Sequence, residues 1–124
     1  MRNHSIFRVF IFLCLSVSFI SIMACEKEAV DMFDCSGFSP TYTADIKPIL
    51  DASCAKSGCH DAATAKKGIN LSDYAHARDI SQEDRFLGAI QHKKGYDKMP
   101  DDAPQLPESQ VQLLTCWVQN GSPQ

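Results

Sequence analysis

The sequence predicts an all-α domain built from three to five short helices. Three observations carry that expectation. Apolar residues recur at i, i+3, i+4 spacing along separate stretches, which places them on single helical faces. No segment alternates apolar and polar residues with a period of two, so no sheet of consequence is expected. Residues 93–107 hold Gly95, Pro100, Pro104 and Pro107, which rules out regular structure there and sets the last helix apart.

In chain order, the N-terminus comes before that domain. Arg2, His4 and Arg8 give a basic start, and residues 9–24 hold no charge. With a small residue at the cut, this is the layout of a secretory signal peptide over residues 1–24. The apolar run is broken by Ser16, Ser18 and Ser21 and is shorter than the roughly 20 residues of a membrane span. Ile22-Met23-Ala24-Cys25 resembles a bacterial lipobox, in which the cysteine is acylated and becomes the mature N-terminus. Left as a thiol in an oxidising compartment, Cys25 would be a liability. The expectation is an exported chain, in the periplasm or at the cell surface, held to a bacterial membrane by lipid on Cys25. Residues 25–40 are acidic, small and turn-forming without a clear period, and read as a flexible tether. The folded domain is then residues 41–124. At about 85 residues, a single core is marginal without a staple or a cofactor.

The first helix is expected over residues 43–53. Ile46, Ile49 and Leu50 share one face, and Thr43 or Asp45 is placed to cap it. Pro48 fits only near the first turn. Residues 61–72 read as an irregular loop hinged at Gly68. A short helix is expected over residues 72–79. Another is expected over 82–92, capped by Ser81, with Phe86, Leu87 and Ile90 on one face. The last helix opens at Pro107, lines up Val111, Leu114, Trp117 and Val118, and stops at Asn120-Gly121.

The first helix leads into Cys54-Ala55-Lys56-Ser57-Gly58-Cys59-His60. Two cysteines followed at once by a histidine is the arrangement that attaches a c-type haem. Two thiols add to the vinyl groups on one porphyrin edge, and the adjacent imidazole donates an axial nitrogen to the iron. The usual spacer is two residues, and here it is four. The extra residues must loop outward, and Ser57-Gly58 is the place for it, because glycine accepts backbone angles other residues avoid. Two other readings use the same residues. Cys54 and Cys59 could pair with each other in an exported protein. They could also bind zinc with His60 and a further group. Met99 lies in a polar, proline-broken loop with no helical face, where a core-filling role fits poorly.

The order of Asp45-Ile46-Lys47-Pro48-Ile49-Leu50, Cys54, Cys59-His60, Ile69-Asn70-Leu71, Lys98-Met99-Pro100 and Trp117-Val118-Gln119-Asn120-Gly121 resembles a known plan. It is similar to the small class I-like cytochrome c domains called planctomycete-type, over about residues 42–122. The resemblance implies a cytochrome c-like fold around one covalent haem c. It implies Cys54 and Cys59 as thioether donors, His60 as proximal ligand and Met99 as distal ligand, with His92 the competitor. It also implies that Ile49 and Leu50 wall the haem and that Trp117 packs the last helix against the first helix and the porphyrin. Two filled axial positions imply an electron carrier, not an enzyme. Lipid and haem would claim Cys25, Cys54 and Cys59, and Cys14 would leave with the signal peptide. Cys35 and Cys116 remain, and pairing is their default in an oxidising space.

Charge narrows the partners. The chain has 12 Lys and Arg against 15 Asp and Glu, and loss of Arg2 and Arg8 with the signal peptide leaves 10 against 15, a net of −5. Such a domain is a poor nucleic-acid binder. Redox proteins and a membrane surface are the expected partners, and a monomer is the expected state. Lys66-Lys67 and Lys93-Lys94, with Lys98, read as a solvated face or as a docking patch for an acidic partner. His76 reads as an exposed polar residue. Two rival classes stay open: a haem enzyme or gas sensor with a labile distal position, and a non-redox lipoprotein stapled by disulfides.

Overall fold

A computed structural model describes residues 26–124. The expected signal peptide and Cys25 lie outside the described residues. Within them the chain forms four α-helices and no strand. The all-α expectation is met.

The first helical stretch covers almost the residues expected, 42–53 against 43–53, but its first turn is not α-helical. A π-helical turn, Tyr42–Ile46, runs directly into α1, Lys47–Ser53. Neither Thr43 nor Asp45 caps it as expected. Thr41 Oγ1 accepts the Ala44 N–H, while the Asp45 carboxylate reaches back 2.8 Å to the Thr41 N–H. Two backbone donors at the helix start are satisfied reciprocally, as in a capping box. Pro48 lies just after the wide turn, where a missing N–H costs little.

A short 3-10 turn, Lys66–Gly68, interrupts the loop that follows α1. α2 spans Tyr74–Ser81 and is capped by Asp73, whose carboxylate accepts the His76 N–H. α3 spans Asp84–Ile90. The expected cap Ser81 ends the preceding helix instead. Its hydroxyl donates to the Arg78 carbonyl and meets Ser122 Oγ at 2.7 Å. α4 spans Glu108–Gln119, with Pro107 just ahead of it. It closes as expected at Asn120-Gly121, where Gly121 N–H bonds Val118 O and Ser122 N–H bonds Trp117 O, the paired bonds of a Schellman motif.

Trp117 is fully buried on α4, between Tyr42 of the first turn and Phe86 of α3. Its indole N–H donates to the Pro123 carbonyl, which also accepts the Tyr42 N–H. One residue therefore fixes the last helix to the first and third. Ile46, Leu50 and Leu114, all fully buried, fill the space around it. Tyr42 Oη is buried without a hydrogen-bond partner among the described residues, and burial raises the pKa of this phenol.

Residues 26–40 contain no helix or strand, in line with their composition, but they are packed along the domain. The buried Gln91 amide is fully used here. Its oxygen accepts the Asp31 N–H, and its nitrogen donates to Asp31 O and to Thr115 Oγ1 of α4. Gln119 brackets Phe33 in the same way. A disulfide between Cys35 and Cys116 then ties the segment to α4, the pairing expected from the sequence.

This bridge closes a loop of 81 residues. Long loops gain most from closure, by about 2–4 kcal/mol. Replacing both cysteines, Cys35→Ser with Cys116→Ala, is expected to lower the free energy of unfolding by that amount. Denaturant titration of parent and variant checks it; coincident curves would count against the bridge.

Candidate functional site

α1 delivers Cys54 to the site. The Cys54 N–H still bonds Leu50 O, so the residue sits at the helix end. The next residues turn back on themselves. His60 N–H donates to the Cys54 carbonyl at 3.1 Å, which closes the loop and sets His60 beside Cys54. The four-residue spacer loops outward as expected. Gly58 sits at φ +82°, a left-handed angle that favours glycine. Its N–H is held by Thr64 Oγ1. Cys59 is pinned by bonds from its own N–H to Lys56 O and from Lys66 N–H to its carbonyl.

His60 is 7% exposed. Its Nδ1 lies 3.2 Å from the Ile69 carbonyl oxygen. A carbonyl can only accept, so Nδ1 carries the proton and Nε2 presents its lone pair. Holding one ring nitrogen this way orients and tunes a metal-ligating histidine.

Met99 comes from the loop that follows α3. Its N–H donates to Ala89 O at the end of α3. His92 Nε2 lies 3.0 Å from the Met99 carbonyl, so the imidazole donates to the Met99 backbone. His76 is exposed and held by Asp73.

Cys54, Cys59, His60 and Met99 all line one cavity of 140 Å³. Three of them also line an apolar cavity of 120 Å³ walled by Ile69, Leu71, Ile80, Phe86 and Ile90. A wider cleft of 590 Å³ shares His60 and Met99. Each small cavity falls below the roughly 300–1,000 Å³ of a pocket for a drug-sized ligand, and the adjoining cleft brings the space into that range. His76 and His92 line none of the three. Neither do Ile49 and Leu50, which are core residues here, nor Trp117, which stands one layer back behind Phe86.

Lys67, Arg85 and Asp97 stand around the apolar cavity, and spacing in the sequence gave no signal for Arg85 or Asp97. Two ion pairs join the walls of the cleft, Lys67–Asp97 at 2.7 Å and Lys66–Asp101 at 3.1 Å. All four side chains are substantially exposed, so water and salt screen both pairs and they add little to stability. Lys93 is paired with Asp31 and Glu28. Most of the basic face proposed for an acidic partner is therefore already neutralised, leaving Lys94 and Lys98 unpaired among the described residues.

Both site cysteines are free thiols. Burial pushes the Cys54 thiol up to about 11, with a smaller contribution from the neighbouring Cys59 sulfur. Among the described residues no group of three or more His, Cys, Asp or Glu side chains is placed to hold a metal ion, Cys54, Cys59 and His60 included. No known protein family, curated protein or solved structure matches the chain.

The two thiols differ in a testable way. In the chain with both thiols free, at neutral pH, iodoacetamide is expected to modify the half-buried Cys59 well before the buried, protonated Cys54. Mass mapping after timed quenching measures both rates. Equal rates in the folded chain would contradict the burial described for Cys54.

Proposed function

We propose that this chain is a membrane-anchored monohaem c-type cytochrome that carries electrons. The observation that carries the reading is the convergence of Cys54, Cys59, His60 and Met99 on one cavity, from two segments far apart in sequence. The residues fit the group. Cys54 and Cys59 are free thiols, the buried imidazole has Nδ1 tied to the Ile69 carbonyl, and Met99 lines the same apolar cavity as His60 and Cys54. The cavity walls between them are apolar, as a macrocycle requires.

When bound, haem supplies a one-electron couple between ferrous and ferric iron. The protein's residues do the rest. Cys54 and Cys59 would hold the macrocycle through their sulfurs. His60 would ligate through Nε2, with the Ile69 carbonyl keeping its ring oriented. Met99 would supply the second ligand, and His92 would steady the Met99 backbone. Ile69, Leu71, Phe86 and Ile90 would exclude water. A soft, neutral sulfur paired with an imidazole favours the reduced state and raises the potential. With His60 and Met99 both committed as ligands, electron carriage would be favoured over chemistry on a bound substrate. This supports a cytochrome c-like arrangement within the all-α domain, exported and held to a membrane through Cys25. Among the described residues no helix is long and apolar enough to cross a membrane.

Met99→Ala and His92→Ala separate the two distal candidates. The ferric parent is expected to show the weak red-edge absorption band of methionine ligation. Met99→Ala should lose the band and lower the reduction potential, and His92→Ala should keep the band. A band that survives Met99→Ala, or carbon monoxide binding by the native reduced parent, would move the protein to a different ligand or to an open-site class.

A further inference from the structure

The segment that follows Cys25 is docked almost from its start. Lys27 Nζ lies 4.8 Å from the centre of the Tyr96 ring. The Glu28 N–H donates to Lys94 O at 3.0 Å, and the Glu28 carboxylate accepts the Lys94 N–H at 2.9 Å. Lys93, with 13% of its side chain exposed, reaches Asp31 at 2.8 Å and Glu28 at 3.5 Å. Tyr96 is itself seated against α3. A Cβ on Gly88 would fall 2.6 Å from its ring, so only glycine allows this approach. Gln91, Gln119 and the Cys35–Cys116 bridge carry the docking on to α4.

The reach of the anchor follows from chain geometry. The first contact is made two residues after Cys25. An extended chain covers at most about 3.3–3.6 Å per residue, so two residues of free chain ahead of Lys27 give the stalk a reach of no more than about 10 Å from the loop around Tyr96. Were the whole of residues 25–40 free, the domain could stand off by about 50 Å.

We infer that the folded domain rests on the bilayer surface through the loop of residues 93–96, with lipid headgroups as the partner of that loop. This rests on the reading of Cys25 as acylated. The anchor is then a short stalk and not a long tether. Lys94 and Lys98 are exposed and carry no ion pair among the described residues, which suits them to anionic headgroups. Met99 follows Tyr96 by three residues, so the Met99 wall of the cleft lies near the same surface.

The test uses the acylated, haem-loaded protein in vesicles of phosphatidylethanolamine and phosphatidylglycerol. A fluorophore is placed on Ala29→Cys, an exposed residue beside the docked Glu28 whose side chain takes no part in the docking bonds and which leaves Lys94 and Lys98 in place. A nitroxide on the lipid headgroups is the quencher. The comparison chain carries ten Gly/Ser residues inserted between Glu26 and Lys27, which keeps lipid and docking but lengthens the stalk. Strong quenching in the short form that is mostly lost in the lengthened form is the expected result. Equal quenching in a chain that partitions into detergent overturns the seating on the bilayer and leaves the acylation intact. A chain that stays in the aqueous phase overturns both, and the mass of its N-terminal peptide identifies that case.

Discussion

The burial of Trp117 at the meeting of three helices is the interaction on which the rest of the structure depends. A small domain has little apolar surface to spend, and one large side chain touching Tyr42 and Phe86 joins elements that are distant in sequence. Its N–H and the Tyr42 N–H converge on the Pro123 carbonyl, so the two ends of the domain share one polar anchor. A buried donor without that acceptor would be costly, which makes the arrangement specific as well as stable. Phe86 has Trp117 at its back and the apolar cavity at its front, and so passes this order on to the site.

The site itself is built by two loops hung from that frame. The Cys54–His60 loop is closed by its own backbone bond and braced by Leu71 N–H on the His60 carbonyl. The Met99 loop is held from outside, by Ala89 at the end of α3 and by the His92 ring. The Cys54–His60 side is thus fixed by short-range bonds. The Met99 side depends on the docking of one stretch of chain, joined to the other wall by exposed ion pairs. Such a division suits a site in which one wall receives a flat group and the other closes over it.

Much of this was legible in the sequence, and the residues explain which parts. α4 was clear because Val111, Leu114 and Trp117 repeat at helical spacing between a proline and a glycine. The Cys54–His60 turn was clear because its chemistry demands contiguous residues. The π turn, the Thr41 cap and the role of Ser81 were missed, since each depends on a bond whose partner no local pattern marks. The packing of residues 26–40 was hidden for the same reason. It rests on Gln91, Gln119 and Lys93, polar residues that look exposed until the segment covers them. Ile49 and Leu50 were placed at the cavity by analogy, but both are buried in the core and line none of the cavities, while Phe86 and Ile90 of α3 take the cavity side.

Covalent attachment is the claim that separates this account from its rivals. The direct measurement is the mass of the exported chain, purified from a host that carries c-type haem attachment machinery and then denatured. The account predicts one haem retained per polypeptide, and its loss when Cys54→Ala and Cys59→Ala are combined. A colourless denatured chain with Cys54 and Cys59 free, or joined to each other, would contradict it.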